Sequence, residues 1–231
     1  MQTATRVAAL TIVALVAAAC GGTASVAVST VAPTTAAPTT VAATATAAPA
    51  ALSWTVTDAS KATVRVREQL VGLNLPSDAV LTAAGAKGAF SLNADGTFAS
   101  GSKITFDLTT LSSDSRDRDN FVKQTTLATR QFPTATFVPT MVTGLTPPIP
   151  AAGDLTFTLT GTLTIKGKDK VVTFDVTATR TGADLTATAT ADPTLKFEDF
   201  GLSAPSVPFR VVSVTDEIRL VVDLVAIGPA T

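Results

Sequence analysis

The stretch from Gly153 to Arg180, GDLTFTLTGTLTIKGKDKVVTFDVTATR, decides how the rest of the chain is interpreted. Apolar residues alternate with threonines along its first half, and a similar alternation follows its centre. Alternation with a period of two is typical of a β-strand that has one apolar face. The pattern stops at Lys166–Asp169, where Gly167 offers the backbone freedom that a tight turn needs. The stretch therefore predicts a long β-hairpin with one apolar face and one threonine face.

A single two-stranded ribbon is not stable in water, so other segments must cover the apolar face of this hairpin. Further segments with a strand-like pattern precede and follow it, namely 54–56, 61–70, 87–92, 101–111, 134–142, 185–190 and 210–226. Regularly spaced strands joined by turns are typical of a barrel or a sandwich. We predict an all-β protein, a closed antiparallel β-barrel of about eight strands with one short α-helix.

Three segments carry more detailed expectations. The charged segment 112–133 lacks strand periodicity and predicts the helix, which Ser113 or Ser115 would cap. The segment 72–83 contains Pro76 and is interpreted as a loop. Since proline cannot donate to a sheet ladder, Pro139 predicts that 134–142 is an edge strand or a bulged strand.

Composition excludes several classes of function. The chain has 17 basic and 18 acidic residues, so its net charge of −1 offers no basic field for nucleic acid. Histidine and tyrosine are absent, and Cys20 is the sole cysteine. The commonest general base and the commonest nitrogen ligand of metals are therefore missing. We expect no metal, no cofactor and no disulfide within the chain.

The N-terminus has the features of an export signal. Arg6 precedes an apolar run of about 13 residues, which is shorter than the roughly 20 residues that span a bilayer. The run ends in Val16–Gly21, VAAACG, which resembles the lipobox of bacterial lipoproteins. This resemblance implies a signal peptide at residues 1–19 and a lipid on Cys20, which would anchor the protein to the membrane outside the cytoplasm. An ordinary secretory signal is the alternative, and the protein would then be secreted.

Residues 20–51 consist almost entirely of Thr, Ala, Val, Pro, Ser and Gly and carry no charge. Such a segment cannot build a core, and we interpret it as a disordered tether. The folded domain is expected to span residues 52–228.

Several passages resemble the YceI-like family, a polyisoprenoid-binding periplasmic domain. SRDRDNF at 115–121, followed by QFPTATF at 131–137, is similar to the family's helix-to-strand passage. GTLTIKG at 161–167 with VVTF at 171–174 resembles its hairpin, and EDFG at 198–201 resembles the element before its last strand. The resemblance covers the whole domain. It implies a lipocalin-like barrel that binds long apolar chains in its interior.

The predicted inner face combines small side chains, which leave room, with aromatic ones, which line it. An eight-stranded barrel encloses just enough space for side chains or for one small ligand. We therefore interpret the protein as a carrier of a long apolar ligand such as a polyisoprenoid. The candidate cavity-lining residues are Val64, Phe90, Ile104, Phe106, Phe121, Phe157, Leu159, Leu163, Phe174, Val176 and Leu220.

Two other classes of function remain open at this point. An enzyme would need the acidic cluster Asp114, Asp117 and Asp119, or the pair Glu198 and Asp199. Arginines alternate with the first set, which suits solvated charges at a helix start. The second pair would face opposite ways if it lay on a strand. We therefore expect no enzyme. The runner-up is a surface interaction module of the cell envelope that needs no small ligand. The oligomeric state is left open.

Overall fold

The computed structural model describes residues 51–228. The predicted signal segment, Cys20 and all but the last residue of the predicted tether lie outside this range. The strands are β1 (Leu52–Val56), β2 (Lys61–Leu70), β3 (Ser77–Ala83), β4 (Lys87–Leu92), β5 (Lys103–Asp107), β6 (Thr134–Thr143), β7 (Ala152–Ile165), β8 (Lys168–Thr181), β9 (Asp184–Ala191) and β10 (Val211–Ile227). The helix α1 spans Arg116–Phe121, and no helix within residues 51–228 is long and apolar enough to cross a membrane.

The hairpin predicted from the sequence is β7–β8. The two strands pair without interruption from Ala152 opposite Thr181 to Ile165 opposite Lys168. The turn has two residues, Lys166 and Gly167, and both have positive φ angles, 51° and 71°. This is the geometry of a type I′ turn, whose twist matches that of the flanking strands.

Eight strands close into a ring in the order β1–β4–β5–β6–β7–β8–β9–β10, and β10 returns to β1. All neighbours are antiparallel. Closure rests on a short seam, in which Thr55 lies opposite Ile227 and Val56 opposite Ala226. Closing a sheet removes its edges, so each ring strand has partners on both sides. The predicted closed antiparallel barrel with one short helix is confirmed.

Two more strands extend the sheet at one end of the ring. The earlier part of β10 pairs with β2, and β2 pairs in turn with β3. The interpretation of 72–83 as a loop was wrong, because Ser77–Ala83 forms β3. Its polar start misled the prediction: the Asp78 carboxylate accepts from Arg67 at 3.3 Å and lies 2.7 Å from a guanidinium nitrogen of Arg219. Inward residues of β3 are buried under the segment that contains α1.

That helical segment begins where the capping residue predicts. The Ser115 hydroxyl accepts a hydrogen bond from the Arg118 N–H at 3.4 Å, and a wider turn at Val122–Thr126 follows α1. Leu81 and Leu111 pack with Val122 and with other small apolar residues, which fixes the helical segment on β3. This contact places Phe121 at one end of the barrel interior.

β6 is an interior strand, since it pairs with both β5 and β7. Of the two alternatives for Pro139, the edge strand is therefore wrong. A bulge is present instead, between Pro139 and Met141, where the register with β7 shifts. The bulge accommodates a residue that lacks an N–H donor within a paired strand.

Candidate functional site

The barrel interior encloses a cavity of about 720 Å³. All eleven residues proposed from the sequence contribute to its wall, namely Val64, Phe90, Ile104, Phe106, Phe121, Phe157, Leu159, Leu163, Phe174, Val176 and Leu220. Their role in holding a ligand remains a prediction. Alternation along the strands was the signal for ten of them, whereas Phe121 was placed from the helical segment.

The interior is hollow because several inward positions carry small side chains. Ala187 and Ala189 of β9 and Ala62 of β2 belong to the cavity wall. Inward side chains that would be fully buried in a packed core, such as Phe157 and Leu159, are only half-buried. The cavity volume lies within the range of about 300–1,000 Å³ that is usual for ligand pockets.

Aromatic contacts stiffen the wall around this space. Trp54 stacks on Phe90 with ring centroids 5.5 Å apart, and Phe137 meets Phe174 edge-on at 5.4 Å. The Phe137 ring lies against Gly161 of β7, where a Cβ atom would come within 2.4 Å of it. Glycine at this position therefore leaves room for the Phe137 ring, which forms part of the cavity wall.

One end of the barrel is closed by the loop between β6 and β7 and by Arg180. The Arg180 Nε donates to the Gly182 carbonyl at 3.1 Å, and one of its terminal nitrogens donates to the Pro150 carbonyl at 3.2 Å. The guanidinium also lies 5.5 Å from the centroid of the Trp54 ring. The sequence interpretation missed this residue. The sequence feature that could have revealed Arg180 is a charged residue at an inward position of β8, two residues after Ala178.

The opposite end is the mouth of the cavity. Lys166, in the turn at the far end of β8 from Arg180, donates from Nζ to the Thr126 carbonyl at 3.0 Å, so the helical segment lies at this end. Here several wall residues are exposed, among them Val71, Phe209 and Arg210. The wall residues at the closed end are buried or half-buried. Access is therefore at the end formed by α1, the β2–β3 turn and the segment before β10.

Three ion pairs lie at the mouth. The Glu68 carboxylate, which is almost fully buried, accepts from Arg118 at 2.6 Å. Arg118 also contacts Asp114. Above them, Arg210 donates to Asp117 at 2.7 Å and links the start of β10 to α1, but both side chains are mostly exposed. The Glu68–Arg118 pair is shielded from water, whereas the exposed Arg210–Asp117 pair contributes little to stability.

The acidic residues that an enzyme would need have structural partners. Asp114 and Asp117 are in the ion pairs at the mouth, and Asp119 accepts from the Ser113 hydroxyl at 2.6 Å. Across the described residues, no group of three or more His, Cys, Asp or Glu side chains could hold a metal ion.

Glu198 and Asp199 lie in a 3-10 turn and not on a strand. The Lys170 ammonium, 2.5 Å from its carboxylate, and the Lys196 N–H hold the pKa of Asp199 below its usual range. A general acid at neutral pH needs the opposite shift, because its carboxyl group must stay protonated.

Comparison with known proteins gives the same architecture. A polyisoprenoid-binding domain from Saccharophagus degradans superposes with a TM-score of 0.57 at 14% identity, covering 77% of this chain and 99% of that one. BcnA from Burkholderia cenocepacia gives 0.50 at 22% identity, with coverages of 72% and 95%. The YceI protein of Campylobacter jejuni gives 0.50 at 17% identity, with coverages of 70% and 93%. At these identities the likeness shows the fold.

No curated protein matches the sequence significantly. The sequence does match a family description, the YceI-like domain, over residues 54–226. This match reaches every strand of the ring and includes all eleven predicted wall residues. The chain therefore belongs to the YceI-like domain family.

Proposed function

We propose that this protein binds one long apolar chain, a polyisoprenoid or another lipid-like molecule, inside the barrel and carries it without altering it chemically. The observation that carries the proposal is the hollow interior, about 720 Å³ in volume and walled mainly by aliphatic and aromatic side chains. Each methylene group that leaves water for such a site contributes about 0.8 kcal/mol. A chain of many carbons therefore gains enough to offset the cost of association.

The cavity volume sets an expectation for ligand size. A water molecule occupies roughly 30 Å³ in the liquid. If one methylene needs a similar space, the cavity of about 720 Å³ holds on the order of 20 chain carbons. The Saccharophagus degradans domain of the same fold is described as polyisoprenoid-binding, which supports a ligand of this chemical class.

Native mass spectrometry of the purified unit Ala47–Thr231, followed by solvent extraction, tests the proposal. This unit is compact and contains every described strand together with its partners. We expect a co-purifying apolar molecule. Ala187→Phe places a ring inside the cavity and should lower its occupancy at least tenfold, whereas Thr186→Phe adds the same ring on the exposed face and should leave occupancy unchanged. A cavity that stays empty and rejects long-chain alcohols would favour the interaction module.

We further propose that the protein acts outside the cytoplasm and is attached to a membrane through a lipid on Cys20. The apolar run before Cys20 and the small residues around it support this. Labelling of growing cells with an alkyne fatty acid should mark the full chain and not a Cys20→Ser variant. An unlabelled wild-type chain in the culture medium would contradict anchoring and support secretion.

A further inference from the structure

Two uncharged loops meet at the mouth of the cavity. One is the β2–β3 turn at 71–76, and the other is the segment at 200–209 that leads into β10. The Val71 N–H donates to the Arg210 carbonyl at 3.0 Å, and Leu70 lies opposite Val211 in the sheet. These bonds hold the two loops side by side, so their apolar side chains share one surface.

This surface and the adjoining start of β10 expose five large apolar side chains, which we call the apolar rim: Val71, Leu73, Leu75, Phe209 and Val212. All five are more than half exposed, with Leu75 at 77% and Phe209 at 95%. Half of the ten large apolar residues exposed in the described part of the chain are in this rim. Apolar side chains clustered at one end mark a contact surface, whereas singly scattered ones need no explanation.

Phe209 is held in an unfavourable backbone conformation. Its φ angle is 64°, in the left-handed region that bulky residues rarely adopt. Such a conformation costs of order 1–3 kcal/mol and is concentrated at functional sites. No contact with residues 51–228 offsets this cost, because the ring is 95% exposed. A contact of the ring with another apolar phase would offset it.

The rim continues directly into the cavity. Val71 and Phe209 belong both to the rim and to the cavity wall, and Leu70, Val207 and Val211 continue the wall beside them. An apolar ligand that leaves the cavity therefore passes over the rim. Such a ligand dissolves in lipid and not in water, so the phase that can exchange it is a bilayer.

The distribution of charged residues around the rim also suits contact with a lipid bilayer. Residues 69–77 and 200–209 contain no charged side chain, although the whole chain has 17 basic and 18 acidic residues. Arg210 stands at the base of the rim, and its long side chain could stay at the level of lipid headgroups while neighbouring apolar groups insert.

From these observations we propose that the apolar rim docks onto the surface of a lipid bilayer, with the cavity mouth facing the lipid. The proposal rests on the proposed function, since it identifies the bilayer as the phase with which the cavity exchanges its ligand. Insertion of Leu75 and Phe209 would anchor the β2–β3 turn and the segment before β10. The opposite end of the barrel, closed by Arg180, would face away from the membrane.

Flotation of the Ala47–Thr231 unit with phosphatidylcholine vesicles tests this docking, since that unit lacks the apolar N-terminal run. We expect it to float with the vesicles. A Leu75→Ser, Phe209→Ser double variant should lower the partition coefficient at least tenfold, because a fully transferred Leu or Phe side chain is worth more than a tenfold change. Ile227→Ser removes a half-exposed apolar side chain from the other end of β10 and should change partition less than twofold.

A Phe209→Trp variant gives a second, direct measurement. Vesicles of brominated phosphatidylcholine should quench its added fluorescence, while the buried Trp54 should be quenched little. Failure of the wild type to float, or equal flotation of the rim variant and the wild type, would overturn the proposal. Concentration-dependent dimers that Phe209→Ser abolishes, without vesicle binding, would also overturn it.

Failure of docking and failure of the proposed function give different results. Native mass spectrometry of the same samples reports whether the cavity is occupied. A filled cavity without flotation would leave the carrier function intact and end the docking proposal. Rim-dependent flotation with a cavity that never accepts a ligand would support docking and contradict the carrier function.

Discussion

Replacing Gly88 by alanine should disrupt the pairing of β4 with β5, next to the seam that closes the barrel. Gly88 lies in β4 between Val56 of β1 and Ile104 of β5, and Val56 is one of the two β1 residues that pair with β10. Its φ angle is 137°, and a Cβ atom there would lie 2.0 Å from the Lys103 carbonyl oxygen. Because the obstacle is backbone within a paired strand, no rotamer change can relieve the contact.

The magnitude follows from two costs. A side chain in such a backbone conformation costs of order 1–3 kcal/mol. Moving a packed strand to make room adds typically 1–3 kcal/mol. We therefore expect Gly88→Ala to lower the free energy of unfolding by about 4 kcal/mol, which is near 12 °C in Tm for a domain of this size.

Gly72→Ala is the matched control. Gly72 has a positive φ of 83°, but no atom lies within 4 Å of the position that its Cβ would take. This variant should lose only the conformational cost, about 1 kcal/mol. Urea unfolding of the Ala47–Thr231 unit, followed by the fluorescence of Trp54, measures both variants. Equal losses in the two variants would refute the reasoning, since the clash with the Lys103 carbonyl would then contribute nothing.

Three further predictions concern the ends of the barrel and one surface ion pair. Arg180→Met should lower the free energy of unfolding by about 2–3 kcal/mol, since two backbone carbonyls lose their donor, and unchanged urea unfolding would contradict this. Glu68→Ala should cost about 2 kcal/mol because Arg118 loses its shielded partner, while Asp114→Ala should cost less than about 0.5 kcal/mol, and equal costs in thermal unfolding would argue against a shielded pair. The lowered pKa of Asp199 means that its stabilisation is present above the unfolded value of about 3.8 and is lost as pH falls through the folded value. Asp199→Asn should therefore flatten the loss of stability on acidification, and parallel curves of unfolding midpoint against pH would count against this.

The inner face of the barrel could be predicted because it depends on local alternation. In β7 and β8 the period of two assigns each side chain to one face before any partner strand is known. The same reasoning found Phe90, Ile104 and Phe106 on shorter strands, and all three belong to the cavity wall. Ser115 was among the expected caps because a serine before a helical segment offers a local hydrogen-bond acceptor.

Other features depend on contacts between distant segments. The strand β3 was missed because its first residues are polar, and only the arginines at positions 67 and 219 make Asp78 acceptable there. Arg180 could be noticed as a charge on an inner face, but its carbonyl partners come from separate loops. The rim around Phe209 was not predicted, since its loops lie more than a hundred residues apart in the chain.

By itself, the sequence determined the class of the fold, the face on which each ring residue lies and the apolar character of the interior. These follow from short-range periodicity, which needs no knowledge of the partner strand. Only the tertiary structure decided that β10 meets both β1 and β2, which end is open and how much space remains inside. Closure and cavity volume depend on how all strands pack at once, because a small change in tilt or register alters the enclosed space without changing the pattern of any one strand.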